Sequence, residues 1–403
     1  MFFKLARFEW RYLRRLPSFY ITALIFFLLT FLATTVDQIQ IGGAGGNVLV
    51  NGAQSIAMTQ LIMSLFAMFL VANFIGNTAI RDWSSQMDGI LFSTPIKPLA
   101  YLWGRFAGSF LVVAVVFIGV PLALWLGSLM PWVDAEKFGP TVLEFYLWPY
   151  VTLVLPSLLF CAALFYALAV ATRSMMAMYL GVVGFFILYF SSQGLLGDPQ
   201  YRDVAALLDP FGIGAYAGAT RYWTTFEKNS MIPVMEGALL YNRVLWLGLT
   251  AAIVALAHWR IDLRRERRSR DKAVKADALP TIVPSAARAA ANPTPGVATN
   301  LARLWLRTRF EVRQIVKSMP FIILLLLTVF QFSNLLLNDP NSVYGTAAWP
   351  LTRYMASYIE MSFSLILLII VAYYTAEVVW RERQSGMGDI IDSLPTPNWV
   401  LFV

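Results

Sequence analysis

The chain has 403 residues, 58% of them hydrophobic and 13% charged, about half the charged share of an ordinary soluble domain. Apolar stretches of about 20 residues recur with few charges inside them, which excludes a soluble globular protein and makes a lipid bilayer the solvent. The net charge is +8, but the basic residues flank the apolar stretches, where they set orientation in a membrane, so nucleic acid is not indicated as a partner. A single cysteine, Cys161, rules out an intramolecular disulfide and a cysteine metal cage.

The N-terminal stretch MFFKLARFEWRYLRR places Lys4, Arg7, Arg11, Arg14 and Arg15 at near-helical spacing beside Leu5, Phe8, Tyr12 and Leu13. It predicts a basic amphipathic helix at the membrane surface. After Pro17, the run from Phe19 to Val36 is long and lacks a small-residue cleavage site, so it is read as a first span. The following loop carries no Lys or Arg and belongs outside. A second span covers about Ala57 to Ile80, a third Phe106 to Leu129 with a break at Pro121, and a fourth Pro149 to Thr172. Arg173 and Ser174 make an inside turn before a fifth span, Met175 to Phe190. The stretch that follows contains LLDPFG and RYWTTFEKN and is too polar to cross. It reads as an outer loop with short surface helices, two re-entrant helices being the alternative.

A sixth span, Asn242 to Trp259, ends in RIDLRRERRSRDKAVK, the densest basic run in the chain. Positive-inside counting places that run and the N-terminus together in the cytoplasm, which needs an even number of spans. Residues 277–300, rich in Ala, Pro and Thr, read as a flexible linker.

Beyond the linker the pattern repeats. RFEVRQIVK at 309–317 matches RFEWRYLRR at 7–15, Pro320 precedes an apolar span of about Phe321 to Leu337, and another span runs from Tyr358 to Val379. RERQSGMGDIIDSLPTPNW then aligns with RDWSSQMDGILFSTPIKPL: Arg381, Glu382, Ser385, Met387, Ile390, Ser393 and Pro395 fall on Arg81, Asp82, Ser85, Met87, Ile90, Ser93 and Pro95 at one offset of 300 residues. Transporter repeats pack as pseudosymmetric halves. The expected fold is therefore an all-α polytopic bundle: a six-span unit over 1–262, a linker over 263–300, and the beginning of a second repeated unit over 301–403. Val403 falls at the start of what would be the third span of the second copy. The expectation is a longer reading frame, of which these residues alone do not transport.

The two repeated post-span segments predict short amphipathic helices at the inner surface. Trp83, Met87, Ile90 and Leu91 share one face in the first, and Arg383, Met387, Ile390 and Ile391 in the second. Asp82, Asp88 and Gly89, and likewise Glu382, Gly388 and Asp389, are expected to face the cytoplasm. Each helix stops at a proline, which cannot continue it. An acidic residue after Arg, a glycine further on and a proline exit between the second and third spans resemble the type-2 ABC permease family (ABC-2). The resemblance covers residues 1 to about 262 and recurs from 301 to the end. It implies that Arg81, Asp82, Asp88 and Gly89, with Arg381, Glu382, Gly388 and Asp389, belong to coupling helices that fit a groove of a separate ABC ATP-binding subunit. It also implies a transmembrane permease without enzymatic activity, ATP and Mg being bound by that partner, in the bacterial cytoplasmic membrane with the N-terminus inside. A second permease chain is a further partner it allows.

Within the family, LLDPFG after the fifth span followed by a basic linker and a second unit looks like bacterial permeases fused to a zinc aminopeptidase domain. Such domains carry H-E-x-x-H; His258 is the only histidine here and reads as an interfacial residue. GGAGGNVLVNG lacks the lysine of a phosphate loop. Asn73 and Asn77 in the second span, and Gln331 and Asn334 in the seventh, are polar within hydrocarbon, which suits helix contacts or a polar pathway. Gly181 and Gly184 suit close packing in the fifth span. None of these names a cargo. Two rivals stand beside the permease reading: a membrane anchor for a fused peptidase, and a secondary transporter, which would hold charges at mid-span.

Overall fold

The computed structural model describes residues 1–36, 41–42, 46–85, 87, 98–195, 199–260, 296–337 and 351–384. Among these residues the protein is all-helical, with no strand, and the chain divides into two compact units, Met1–Phe186 with Ser192–Ser269, and Ile187–Ser191 with Arg270–Val403. Among the described residues, five helices are long and apolar enough to cross a membrane, or six if the bent pair Val297–Val316 and Phe321–Phe330 is one span. This is a membrane protein by the length and composition of its helices.

In the first unit, helix α1 (Phe2–Leu13) is amphipathic and leads through Leu16 into α2 (Pro17–Thr35), whose first residue is the proline that needs no amide partner there. α2 leaves Tyr20, Ile21, Leu24, Leu28 and Leu32 exposed, a face suited to lipid. The long helix α3 (Ala53–Ser84) is the most enclosed of the five and contains a π-helical turn at Ala72–Gly76. α4 (Pro98–Phe117) and α5 (Gly119–Gly127) form the third span. The break falls at Ile118, three residues before the expected point. Pro121 cannot donate to the carbonyl of Phe117 and its ring crowds that group, so the chain departs from α-geometry on the N-terminal side of the proline.

α6 (Leu143–Thr172) starts six residues earlier than expected and carries Pro149, a π-helical turn at Tyr150–Val154, and Pro156. The wider turn makes room for the Pro156 ring beside the carbonyl of Thr152. Arg173 ends α6 in the left-handed region, φ 52°, and α7 (Met175–Leu195) follows at once. Two short helices, α8 (Arg202–Leu208) and α9 (Ile213–Ala219), then α10 (Thr225–Ser230), precede α11 (Gly237–Arg260).

α8 and α9 each keep one face on the bundle, while Arg202, Asp203, Val204 and Leu208 of α8 and Ala217, Gly218 and Ala219 of α9 are exposed. Ala206, Ala215 and Tyr216 pack with Ala57, Leu61, Leu153 and Leu239 of the long helices. At the tip, the carbonyls of Pro210 and Phe211 lie 3.2 and 3.3 Å from Ser157 Oγ, whose one proton they share with the Leu153 carbonyl at 2.9 Å. Ser157 lies fourteen residues into the thirty of α6, about 21 Å along its axis. The tip of the LLDPFG segment, Asp209 to Gly212, is therefore buried against the spans, while the helices on either side of it each keep an exposed face.

The second unit contains α12 (Val297–Val316), α13 (Met319–Leu337) and α14 (Thr352–Gln384). α13 and α14 pack together: Ser318 Oγ and the Tyr374 hydroxyl are 2.6 Å apart, and Phe321 meets the Tyr374 ring edge-on at 6.3 Å. No residue of α12 is buried.

Candidate functional site

The site is built where α1 crosses α4. Two glycines one turn apart, Gly104 and Gly108, let the α1 backbone touch α4 directly. A Cβ on Gly104 would meet Leu5 Cβ at 2.8 Å and the Phe2 carbonyl at 2.9 Å, and one on Gly108 would meet the Ala6 carbonyl at 2.5 Å and Glu9 Cβ at 2.8 Å. Small residues at this spacing are the usual device for bringing helix backbones together in a membrane. The approach drives Glu9 into the protein, where it is 1% exposed.

Glu9 is met there by two guanidinium groups. Arg105 Nε donates to Glu9 Oε1 at 2.8 Å, and Arg81 Nη2 donates to the same oxygen at 2.7 Å. Arg105, itself buried, also pairs through Nη1 with Asp82 Oδ2 and donates to the Tyr101 hydroxyl at 2.6 Å, while that hydroxyl donates to Asp82. Arg81 stacks over the Tyr12 ring, 4.3 Å from its centroid. Two carboxylates and two guanidiniums balance in charge, which is the condition for keeping them out of water. Among the described residues, Glu9 Oε2, Arg81 Nη1 and Arg105 Nη2 are buried without a hydrogen-bond partner. The cluster is thus held by directional bonds.

Its position in the chain matters more than its chemistry. Arg81 and Asp82 close α3, and Tyr101 and Arg105 open α4, so the cluster ties together the two ends of the connection over residues 85–97 and ties both to α1. The Arg173 guanidinium lies 5.3 Å from the Trp83 ring centroid, adding the α6–α7 turn to the same region.

Of the residues singled out in sequence, Arg81 and Asp82 are in this cluster. Asp82, expected to face the cytoplasm, turns instead to Arg105 and Tyr101 because those donors lie one helix away. The helix expected over 83–91 begins as the last turn of α3. Asp88 and Gly89, with Ile90 and Leu91, lie outside the described residues, as do Gly388, Asp389, Ile390 and Ile391. Arg381 and Glu382 continue α14, and Gln331 and Asn334 fall on α13, their side chains lying outside the described atoms. Lys4, Arg7, Arg11, Arg14 and Arg15 are all exposed.

Asn73 lies in the π-helical turn of α3 and Asn77 directly follows it, and Asn77 Nδ2 donates to the Asn73 carbonyl at 2.6 Å. They continue an accessible stripe with Phe66 and Phe69 on a helix otherwise enclosed.

A second polar cluster anchors the LLDPFG tip. Asn242 Nδ2 donates to the carbonyls of Ala206 and Asp209 at 2.6 and 2.8 Å, and Asp209 Oδ1 and Oδ2 accept from the amides of Phe211 and Gly214 at 2.9 and 2.7 Å. Arg243 donates to the Leu153 carbonyl at 2.9 Å, to Ser157 Oγ at 3.0 Å and to Asn242 Oδ1 at 2.6 Å. Gly212 has φ 76°, and a Cβ there would sit 2.1 Å from Arg243 Nη2. Every donor edge is used, so this cluster fixes the hairpin. Among the described residues, no group of three His, Cys, Asp or Glu comes together.

Glu9, Tyr101, Arg105 and Arg243 were missed in sequence. Glu9 is the one acidic residue among the first 36, and Arg105 the one charged residue between Lys97 and Asp134. A lone charge near an apolar run is the signal that could have found Arg105, and a single carboxylate set among Lys4, Arg7 and Arg11 the one that could have found Glu9. Searches of protein-family models, of curated proteins and of solved structures return no match.

Proposed function

We propose that this protein is a permease component of an ATP-driven transporter of the ABC-2 type, coupled to a separate ATP-binding subunit through the 85–97 connection and its repeat at 385–397. The observation that carries the reading is the charge cluster at the ends of that connection. A force applied between α3 and α4 from outside reaches both helices and α1 together, because Glu9, Asp82, Arg81 and Arg105 join all three. A simple anchor has no use for such a joint. The enclosed α3, with the Phe66, Phe69, Asn73 and Asn77 stripe left accessible, supports a pathway: amide groups at that depth call for a polar partner, and a second permease half or a cargo supplies one. The ATP and Mg belong to the partner subunit in this reading, and the membrane is the bacterial cytoplasmic one with the N-terminus inside.

The test places a photo-crosslinking residue at Met87, which is half exposed, in the full chain in its native membrane. Adducts with an ATP-binding subunit that change yield when nucleotide is added are expected. Labelling of position 87 only from the side opposite the basic run at 260–275, or adducts indifferent to nucleotide, would overturn the reading.

A further inference from the structure

Helix α12 has two unlike sides. Five apolar residues, Val297, Leu301, Trp305, Val312 and Val316, fall on one stripe about 100° wide at 3.6 residues per turn, and each is half or more exposed. Thr299, Arg303, Gln314 and Lys317 take the opposite side, with Leu306 and Phe310 the two large apolar residues among them. Arg309 and Arg313, both exposed, border the stripe. α13 follows after Lys317 and Ser318, and the axis of Phe321–Phe330 is turned 56° from that of Val297–Val316.

Charge separates the two helices. Residues 297–317 hold five basic residues and one acidic residue, Glu311, whereas residues 318–337 hold no charge. The hydrocarbon core rejects the first composition and accepts the second. α13 has 19 residues and is about 28 Å long, close to the thickness of that core. The bend at Lys317 and Ser318 therefore marks the membrane surface, and α12 leaves it in a new direction. α1 buries Glu9 and Leu13 against protein, while α12 buries no residue among those described, so the contact that places α1 does not place α12. A protein groove would take the apolar stripe without an excess of basic residues. The excess selects a surface that is itself anionic, and Trp305 favours the headgroup level.

We propose that α12 lies along an anionic bilayer surface, with its apolar stripe at the acyl boundary and Arg309 and Arg313 at the lipid phosphates. The bent pair is then a surface helix joined to a span, not one crossing. The inference rests on the composition of α12 and α13 and does not depend on transport.

The full chain is reconstituted in nanodiscs of phosphatidylcholine with or without phosphatidylglycerol. Nitroxide labels are placed singly through Leu301→Cys, Val312→Cys, Thr299→Cys and Gln314→Cys; Cys161 is buried and takes up no label. Collisions with oxygen report lipid, and collisions with a nickel chelate report water. With phosphatidylglycerol present, oxygen should dominate at 301 and 312 and the chelate at 299 and 314. In phosphatidylcholine alone that contrast should shrink. Arg309→Gln and Arg313→Gln should each lower the ratio of docked to undocked helix by about five-fold. Hydrogen exchange of α12 in the unmutated chain, slower with phosphatidylglycerol, repeats the test without any substitution. Equal chelate access at all four positions, or the same profile and the same exchange in both lipids, would overturn the proposal. So would labels at 301 and 312 shielded from both reagents, the result expected if a protein partner covers the stripe.

Discussion

Replacing Gly108 with alanine tests whether the α1–α4 contact creates the charge cluster. The added Cβ would lie 2.5 Å from the Ala6 carbonyl oxygen and 2.8 Å from Glu9 Cβ. Neither neighbour is the end of a flexible side chain, so α1 must retreat by about 1 Å to restore van der Waals separation. Over-packing of this kind costs about 1–3 kcal/mol. The same retreat would stretch the 2.8 Å bond between Glu9 and Arg105 beyond hydrogen-bonding range. The assay is thermal unfolding in detergent together with trypsin cleavage at Arg7 and Arg11. Gly248→Ala serves as the control, since it meets nothing within 4 Å on α11 and should gain up to about 1 kcal/mol in helix propensity. Gly108→Ala should lower the midpoint and speed cleavage of α1, while Gly248→Ala should do neither. If both glycines behave alike, the close crossing does not hold α1 and the reasoning fails.

Glu9→Ala leaves Arg105 buried beside a single carboxylate and should cost about 3–5 kcal/mol, the range for breaking a buried ion pair from one side; Glu9→Gln should cost less, and equal losses in equilibrium unfolding would show that charge is irrelevant at this point. Gly212→Ala places a side chain in the left-handed region at a cost of about 1–2 kcal/mol before any displacement of Arg243, so hydrogen exchange of α8 and α9 should accelerate more than that of α3. Arg173 is the one non-glycine at positive φ among the described residues, and its stack on Trp83 offsets that strain. Arg173→Gly should therefore leave stability nearly unchanged in the natural sequence and raise it by about 1 kcal/mol in a Trp83→Leu background; a gain of the same size in both would remove Trp83 from the account.

Much of the architecture was legible because hydrocarbon imposes a one-dimensional rule. A run of apolar residues must be a helix of spanning length, and α2, α3, α6 and α11 lie where such runs fall, with ends shifted by a few residues. The shifts have causes. α3 and α6 start before the apolar stretch because those ends are enclosed by protein, as Ala53, Ile56 and Phe145 show. The basic amphipathic helix at the N-terminus was legible in the same way, and its five cationic residues are exposed.

Sequence alone determined that the chain is a helical membrane protein, roughly where its helices run, and that a polar stretch interrupts them after α7, since each follows from the local balance between apolar burial and unsatisfied backbone. Only the tertiary structure decided that Glu9 meets Arg81 and Arg105 from residues 72 and 96 positions away, and that Arg243 and Asn242 draw the tip of the LLDPFG segment against the spans. A buried charge is tolerated only where its partners come from other helices, and which helices touch is set by small residues such as Gly104 and Gly108, whose meaning appears only once the surface they fit is in place.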